Sequence, residues 1–594
     1  MILSFLFVKE RESGDTQALM RGSFQAVLSL LFVSTSSLLA DLNNELIPLT
    51  LKQMARPDRL SKSVEEAGLL TEVALDLGLP NSGASEGWPE EALSRITLSR
   101  LANLSNSKTA KEIQSFLAEG FVSTSLEPDK PADPLWDDIT KRSGEGGIQT
   151  PTNPRALLKK IKALGKIKFK VIRVENRTTH LHVEADRAGA EYSATWLTSW
   201  TDTKPPKLTN LRVKNFKTMI SEGPWFHDAT NTVIGRNPRF KAQVLHGIDH
   251  WAQRITRIGD LSLTGHHGLA VGDVNGDGLE DLYVCDGGSL PNQLYLQQPD
   301  GTAKEVALDW GVAWLEDSRS ALLVDLDNDG DQDLVVATIA MIAFAENLNN
   351  QAFKLRGGFP GAPYPFSLSA ADFDLDGDLD IYTCIYGAGD QPKKRGFEAN
   401  SPTPFNDAEN GGRNVLLSNL GGFQFTDVTQ KVGLDQNNTR WSFSASWEDY
   451  DRDGDPDLYV ANDFGRNCLY QNNNGQFSNI AKKAGVEDMA AGMSVSWGDS
   501  NRDGAPDLLI GNMFSSAGQR VSFQRDYKAE KKRMARGNTL FTTSKDGFED
   551  ASIANGITNS GWAWSSGFAD LNNDGWQDLV VANGYLSNSR DHDL

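Results

Sequence analysis

Six stretches of the sequence carry one acidic nonapeptide pattern, and its residue types suit a hard cation. They read DVNGDGLED (273–281), DLDNDGDQD (325–333), DFDLDGDLD (372–380), DYDRDGDPD (449–457), DSNRDGAPD (499–507) and DLNNDGWQD (570–578). Positions 1, 3, 5 and 9 offer side-chain oxygens. The first three loops supply Asp273, Asn275, Asp277 and Asp281; Asp325, Asp327, Asp329 and Asp333; and Asp372, Asp374, Asp376 and Asp380. The last three supply Asp449, Asp451, Asp453 and Asp457; Asp499, Asn501, Asp503 and Asp507; and Asp570, Asn572, Asp574 and Asp578. Position 7, which is Leu279, Asp331, Asp378, Asp455, Ala505 or Trp576, is expected to give its backbone carbonyl. Calcium takes roughly 6–8 oxygens at about 2.3–2.6 Å, and alternate residues of a tight loop can converge on it. Position 6 is Gly in all six loops, where the chain must turn sharply. The 21 carboxylates at positions 1, 3, 5 and 9 would repel one another or take up protons without a cation. Magnesium fits less well, because it demands stricter octahedral geometry and holds its water. A metal-free Asx turn explains one such loop, not six in the same register. An EF-hand is excluded, since position 12 is apolar or Thr rather than Glu.

The elements around the loops are short strands. Each loop follows a stretch such as Leu269–Val271, Leu322–Val324 or Ser444–Trp447 and precedes an apolar run such as Leu282–Val284, Leu334–Val336 or Leu458–Val460. An Asn-x-Leu strand recurs at Asn414, Asn467 and Asn538, in relaxed form at Asn292, and a segment closing on Gly follows (Gly311, Gly433, Gly485, Gly556). One period thus holds four strands and one loop, the content of a propeller blade. The loops start 52, 47, 77, 50 and 71 residues apart, so two periods carry insertions, at roughly 388–413 and 515–537. Both insertions are expected to project from one face of their blades and, as long segments on a rigid scaffold, to carry recognition. The second places Arg525, Lys528, Lys531, Lys532, Arg533 and Arg536 on an expected helix, either a solvated one or a binding surface; deleting 515–537 or reversing the charge of Lys531, Lys532 and Arg533 should weaken partner binding while leaving calcium-dependent melting intact.

These loops, the Asn-x-Leu strands and the pieces FQFTDVTQKVGL (423–434) and GFEDASIANGI (547–557) resemble FG-GAP/VCBS repeats. The stretch GHHGLAVGDVNGDGLEDLYVCDGGSLPNQLY (265–295) is similar to the propeller entry of bacterial cartilage-acidic-protein-like proteins, a group that often carries an ASPIC/UnbV segment. The resemblance covers 230–594. It implies a mainly β chain built on an integrin-α-like β-propeller of the seven-bladed type. It also implies about one calcium per loop, up to six, and recognition or adhesion on an extracellular protein or glycan. Six loops against the seven blades the resemblance implies suggests either a truncated C-terminus, the favoured reading, or a ring completed by N-terminal strands.

The rest of the chain differs in kind. Met20, Arg21 and the apolar run Phe24–Ala40 read as an export signal within 1–40, preceded by a surplus start, and place the protein as secreted, at the cell surface or periplasmic. A linker (41–85) leads to an α+β domain (86–228), a helical connector (229–260) and the propeller (261–594). In the α+β domain, helices over 93–120 and 155–165 precede strands Ile167–Glu175, His180–Asp186, Tyr192–Trp200 and Leu208–Phe216, a weak resemblance to an NTF2-like cone. Residues 151–260 hold 20 Lys/Arg against 9 Asp/Glu, +11, which leaves −32 for the remainder of a chain whose net charge is −21. That balance argues against nucleic acid as the partner of the whole chain, and no later run is long and apolar enough for an integral membrane segment. Cys285, Cys384 and Cys468 are too scattered for a disulfide scaffold or thiolate metal site and read as buried small hydrophobes.

Two function classes remain. The first is a calcium-dependent binding or adhesion module. The second is an extracellular enzyme, carbohydrate-active or metal-dependent, using the propeller face or a histidine cluster. His246 and His250 sit four apart on an expected helix over 239–257, with His266 and His267 nearby, but no Glu stands between them as a metalloprotease base. No phosphate loop, nucleophile elbow or Cys-His pair has a convincing context, so an enzyme is the less favoured reading.

Overall fold

The computed structural model of the chain describes residues 89–127, 131–136, 139–187, 189–221, 223, 226–246, 250–251, 254, 268–286, 288–387, 402–516, 518–519, 533–545 and 547–583. The segments 1–40 and 41–85 lie outside them. The described residues fall into two units, the first within Asn44–Trp225 and Ser516–Tyr527 and the second within Phe226–Ser515 and Lys528–Leu594.

The first unit opens with helices α1 (Pro89–Ser105) and α2 (Ala110–Phe116), followed by strands β1 (Leu117–Ser123), β2 (Asp133–Trp136), β3 (Ile139–Gly144) and β4 (Thr150–Pro151). Helix α3 (Pro154–Leu164) precedes four long strands, β5 (Lys166–Glu175), β6 (Thr178–Arg187), β7 (Ala190–Trp200) and β8 (Leu208–Ser221). The helix starts where Asn153 accepts the Ala156 N–H at 2.8 Å and Pro154, lacking an N–H, takes the first turn. Its buried residues Leu157, Ile161 and Leu164 recur at helical spacing. The strands pair in the order β2-β3-β8-β7-β6-β5, with β1 alongside β8 and β4. One face of β6 and β7 alternates into the core through Leu181, Val183, Tyr192, Ala194 and Trp196. Buried Trp196 donates to the Tyr192 hydroxyl (3.0 Å), which donates to the Leu126 carbonyl (2.7 Å), so the core carries no orphaned polar group there. The helical reading of 93–120 needs correction at its end. The chain leaves α2 at Phe116 and becomes β1, because pairing with β8 outweighs local propensity and Gly120 adopts a left-handed φ of 73°.

The second unit holds five four-stranded antiparallel sheets and one two-stranded sheet among the described residues. Their spans are 269–305 (sheet I), 318–359 (II), 365–427 (III), 442–479 (IV), 492–550 (V) and 563–583 (VI). Each of the five is a simple meander in which neighbours in sequence are neighbours in space, and the acidic loop joins its first strand to its second. First strands of successive sheets pack against one another in order. Second strands such as Asp333–Thr338 and Asp457–Asn462 are buried on both faces, which explains their unbroken apolar text. Successive sheets share apolar clusters, with Tyr283 and Leu294 meeting Leu334 and Val336, and Tyr382 and Cys384 meeting Leu458 and Val460. Cys285, Cys384 and Cys468 are buried and unpaired, and burial raises their thiols, so all three behave as small hydrophobes.

Two further expectations need correction. Among the described residues, 239–257 do not form one helix: a short helix (Thr230–Ile234) precedes that stretch, a five-residue π turn (Phe240–Val244) opens it, and the helical run breaks at His246. Gly235 and Pro238 interrupt the first, and the Leu245 N–H bonds back to the Phe240 carbonyl (3.1 Å) to close the second. Nor do the insertions simply project. Residues 388–401 lie outside the described residues, but Asp407 of the first insertion is held by Arg440 (2.7 Å) and Arg466 (3.1 Å), and neighbouring Ala408 is buried. Arg525, Lys528, Lys531 and Lys532 also lie outside, while Arg533 and Arg536 are tied down rather than solvated, both meeting Asp550.

Candidate metal sites

All six loops fold alike. The position 1 carboxylate accepts the N–H groups of positions 5 and 6: Asp277 (3.1 Å) and Gly278 (2.7 Å) donate to Asp273, and Asp453 (3.1 Å) and Gly454 (3.0 Å) to Asp449. Position 5 accepts the N–H of position 7, as in Asp331 to Asp329 (3.1 Å) and Trp576 to Asp574 (2.8 Å). These bonds fix the loop before any ion arrives, which is the preorganisation a cation site needs. Position 6 Gly has φ between 82° and 98°, in the left-handed region that L side chains avoid.

Position 4 is also left-handed in every loop: Gly276, Asn328, Leu375, Arg452, Arg502 and Asn573. Only Gly and Asn tolerate this cheaply, so Leu375, Arg452 and Arg502 are misfits; the two arginines reach the next loop, whereas Leu375 at φ 59° is 59% exposed. Leu375→Asn should stabilise the protein by about 0.5–1 kcal/mol, read as a shifted urea midpoint. An unchanged or lower midpoint would show that the Leu side chain has contacts worth more than the strain.

Position 9 differs from the others. Asp281, Asp333, Asp457 and Asp507 are fully buried and Asp380 nearly so. In each, one oxygen accepts an N–H of the third strand, and in all but Asp457 the other accepts the N–H of position 2. For Asp333 the donors are Leu326 (3.0 Å) and Asn347 (2.8 Å); for Asp380 they are Phe373 (3.2 Å) and Asn419 (2.9 Å). Gln297, Asn472 and Thr543 fill the third-strand role for Asp281, Asp457 and Asp507. The residue is therefore a structural brace as well as a candidate ligand.

The structure draws three carboxylate sets close enough to share an ion: Asp325, Asp327 and Asp333; Asp372, Asp374 and Asp380; and Asp449, Asp451 and Asp453. In two of the Asn loops, the position 3 amide instead turns its N–H toward position 5, from Asn275 to Asp277 (3.2 Å) and from Asn572 to Asp574 (2.8 Å). The donors are all oxygens, and buried Asp327 Oδ1, Asp331 Oδ1 and Asp457 Oδ2 have no hydrogen-bond partner. A cation would satisfy them, so these residues fit calcium. His246 and His250 stack face to face at 3.6 Å but belong to no cluster of three metal-ligating side chains among the described residues, and His266 and His267 lie outside them.

Burial, then neighbouring carboxylates, raises Asp281, Asp333 and Asp380 to about 7, Asp457 to about 8 and Asp331 to about 6. A carboxyl raised on folding favours the metal-free fold at pH below its ordinary value and loses that contribution as pH rises through its folded value. Chelated protein should therefore melt lower at pH 8 than at pH 5.5. Calcium must displace those protons, so its affinity should climb across the same interval with proton release. Calcium affinity flat from pH 5.5 to 8 would contradict this.

The loops are also linked to one another. The Asn347, Asn419 and Asn472 amides donate to the position 2 carbonyl of the preceding loop: Val274 (2.9 Å), Leu326 (2.8 Å) and Phe373 (2.8 Å). The position 4 side chain of one loop reaches the next, as Asn328 to Asp378 (2.7 Å), Arg452 to the Gly504 carbonyl, and Arg502 over the Trp576 ring (5.0 Å). All six loops thus line one side of the sheet array.

Compared with known proteins, the chain matches the FG-GAP-like repeat family at residues 273–336, 325–383 and 449–510, three repeats that each run from one acidic loop into the strand after the next. A comparison with curated proteins finds no match. Among solved structures it is similar to an Agrocybe aegerita lectin described in specific recognition of non-reducing terminal N-acetylglucosamine (TM-score 0.32, 14% identity, 53% of this chain and 74% of that one). It is also similar to the V. cholerae biofilm matrix protein Bap1 (TM-score 0.26, 17% identity, 47% of this chain and 38% of that one). A third is a protein from Lactobacillus plantarum (TM-score 0.27, 10% identity, 65% of this chain and 93% of that one). Likenesses this distant do not bear on what the chain binds.

Proposed function

We propose that the FG-GAP-like repeats form a calcium-loaded β-propeller of the seven-bladed, integrin-α-like type, and that the protein is an exported binding or adhesion module for an extracellular protein or glycan. The observation that carries the reading is the line of six preorganised acidic loops, with orphaned carboxylate oxygens, on one side of the sheet array. Calcium supplies the positive charge that lets those carboxylates ionise together and braces the first two strands of each sheet. Support for export is the Met20–Ala40 pattern. The entry motif at 265–295 supports a place near the cartilage-acidic-protein-like group.

The test is capture by the purified chain on a glycan array and from extracellular protein fractions, in millimolar calcium and in chelator. The reading expects a partner retained in calcium, released by chelator and recovered when calcium is restored. Partners held equally well in chelator would overturn it.

A further inference from the structure

In the first unit, the sheet face turned away from the core is built from cross-strand rows that each end in cations. Register sets Arg173 opposite His180, His180 opposite Leu197 and Leu197 opposite Arg212. The next row runs Lys170, His182, Thr195, Lys214, and the next Lys168, Glu184, Ser193, Lys217. Directly paired residues share a face, so β5 and β8 form two parallel rails of three cations each. The rails stand three strand spacings apart, about 14 Å, with cations roughly 7 Å apart along each where the strand is regular. Between them lies a floor of two imidazoles, two hydroxyls, Glu184 and Leu197. Two carboxylates touch these rows, Glu184, engaged by His182 at 3.0 Å, and Glu175, which meets both Arg173 and His180 (3.2 Å), and the next row along sets Asp186 opposite Glu191. Lys168, Arg212, Lys214 and Lys217 form no ion pair with the described residues, and these four side chains are exposed or partly exposed.

We infer that this face binds an anionic polysaccharide, lying along β6 and β7 between the two rails. The rails supply charge complementarity on both sides of one extended polymer strand. Hydroxyls and imidazoles on the floor can exchange hydrogen bonds with sugar hydroxyls. Single-stranded nucleic acid fits less well, because it is held by aromatic stacking and the aromatics of these strands (Phe169, Tyr192, Trp196, Trp200 and Phe216) belong to the opposite, core-facing side. None of these residues belongs to an acidic loop, so the inference stands apart from the calcium reading.

The experiment measures binding of hyaluronate (carboxylate), heparin (sulfate and carboxylate), neutral dextran and single-stranded DNA to the full chain at low ionic strength, with the calcium-dependent melting recorded on the same samples. Hyaluronate or heparin should bind, dextran should not, and added salt should weaken binding steeply. Lys168→Glu with Lys214→Glu, one cation from each rail, should weaken binding about tenfold or more, because each substitution removes an attraction and adds a repulsion of similar size. Lys168→Gln with Lys214→Gln should weaken it less, and keeps the test intact if the double Glu variant does not fold. The same charge change on helix α3, Lys159→Glu with Lys162→Glu, should leave binding within about twofold, as expected for exposed charges away from the rails. The inference is overturned if neither polysaccharide binds, if the rail variants bind as the parent does, if the helix variant loses as much, or if DNA binds through the rails more tightly than either polysaccharide.

Discussion

Asp333→Ala is expected to cost the repeat unit about 2–5 kcal/mol in chelator, before any calcium is at stake, because two buried N–H groups lose their acceptor. Those donors, Leu326 (3.0 Å) and Asn347 (2.8 Å), belong to the loop and to the third strand of sheet II, and the Asn347 amide reaches onward to Val274 in the preceding loop. Asp325→Ala in the same loop should cost far less in chelator. Its oxygens accept from Asp329 (3.2 Å) and Gly330 (3.0 Å), which are exposed, so water takes over the role. In calcium both variants should lose the ion. Urea unfolding of the two proteins, with and without chelator, separates brace from ligand. Equal losses in chelator would mean that position 9 is a ligand and nothing more.

Arg533→Ala carries the second large effect. Asp488 is fully buried, and its Oδ1 accepts from Arg533 Nε (3.0 Å) and its own neighbour's N–H, that of Met489 (3.0 Å). Its Oδ2 accepts from the Asn512 amide (3.0 Å). Without the guanidinium the carboxylate keeps its burial and loses its counter-charge, a change worth about 3–5 kcal/mol. Asp550, shared between Arg533 and Arg536, would keep Arg536 and Ser552. The expectation that charge at Lys531, Lys532 and Arg533 can be reversed without cost therefore fails at Arg533, whose place is structural. Arg533→Lys should recover part of the loss by restoring charge without the planar fork. A melting temperature for Arg533→Ala equal to the parent's would show the pair to be dispensable.

The acidic loops and the strands around them were legible because their signal is strictly periodic within each loop: carboxylates at alternate positions and Gly at the sixth leave few other readings. The second strands were legible for a related reason, since burial on both faces forces unbroken apolar text. The braces were not. Asn347 follows its position 9 Asp by 14 residues and Asn472 by 15, but Asn419 by 39, because the first insertion falls between them. A role defined by hydrogen bonds across sheets leaves no fixed spacing to find. The left-handed fourth position was hidden differently, because Leu375, Arg452 and Arg502 give no hint of it in residue type. In the first unit, alternation marked the four long strands. Helix α2 was extended too far because Leu117–Ser123 becomes a strand only through pairing with β8, more than 80 residues away.

The central claim is that the six acidic loops hold calcium, and the direct measurement is metal content. The full chain, stripped with chelator and re-equilibrated by dialysis against calcium with excess magnesium present, would be analysed by elemental mass spectrometry. The account predicts about one calcium per loop, up to six per chain, with fewer retained by Asp449→Ala and little magnesium taken up. Calcium no higher than in the dialysis buffer, or magnesium bound in its place, would contradict it.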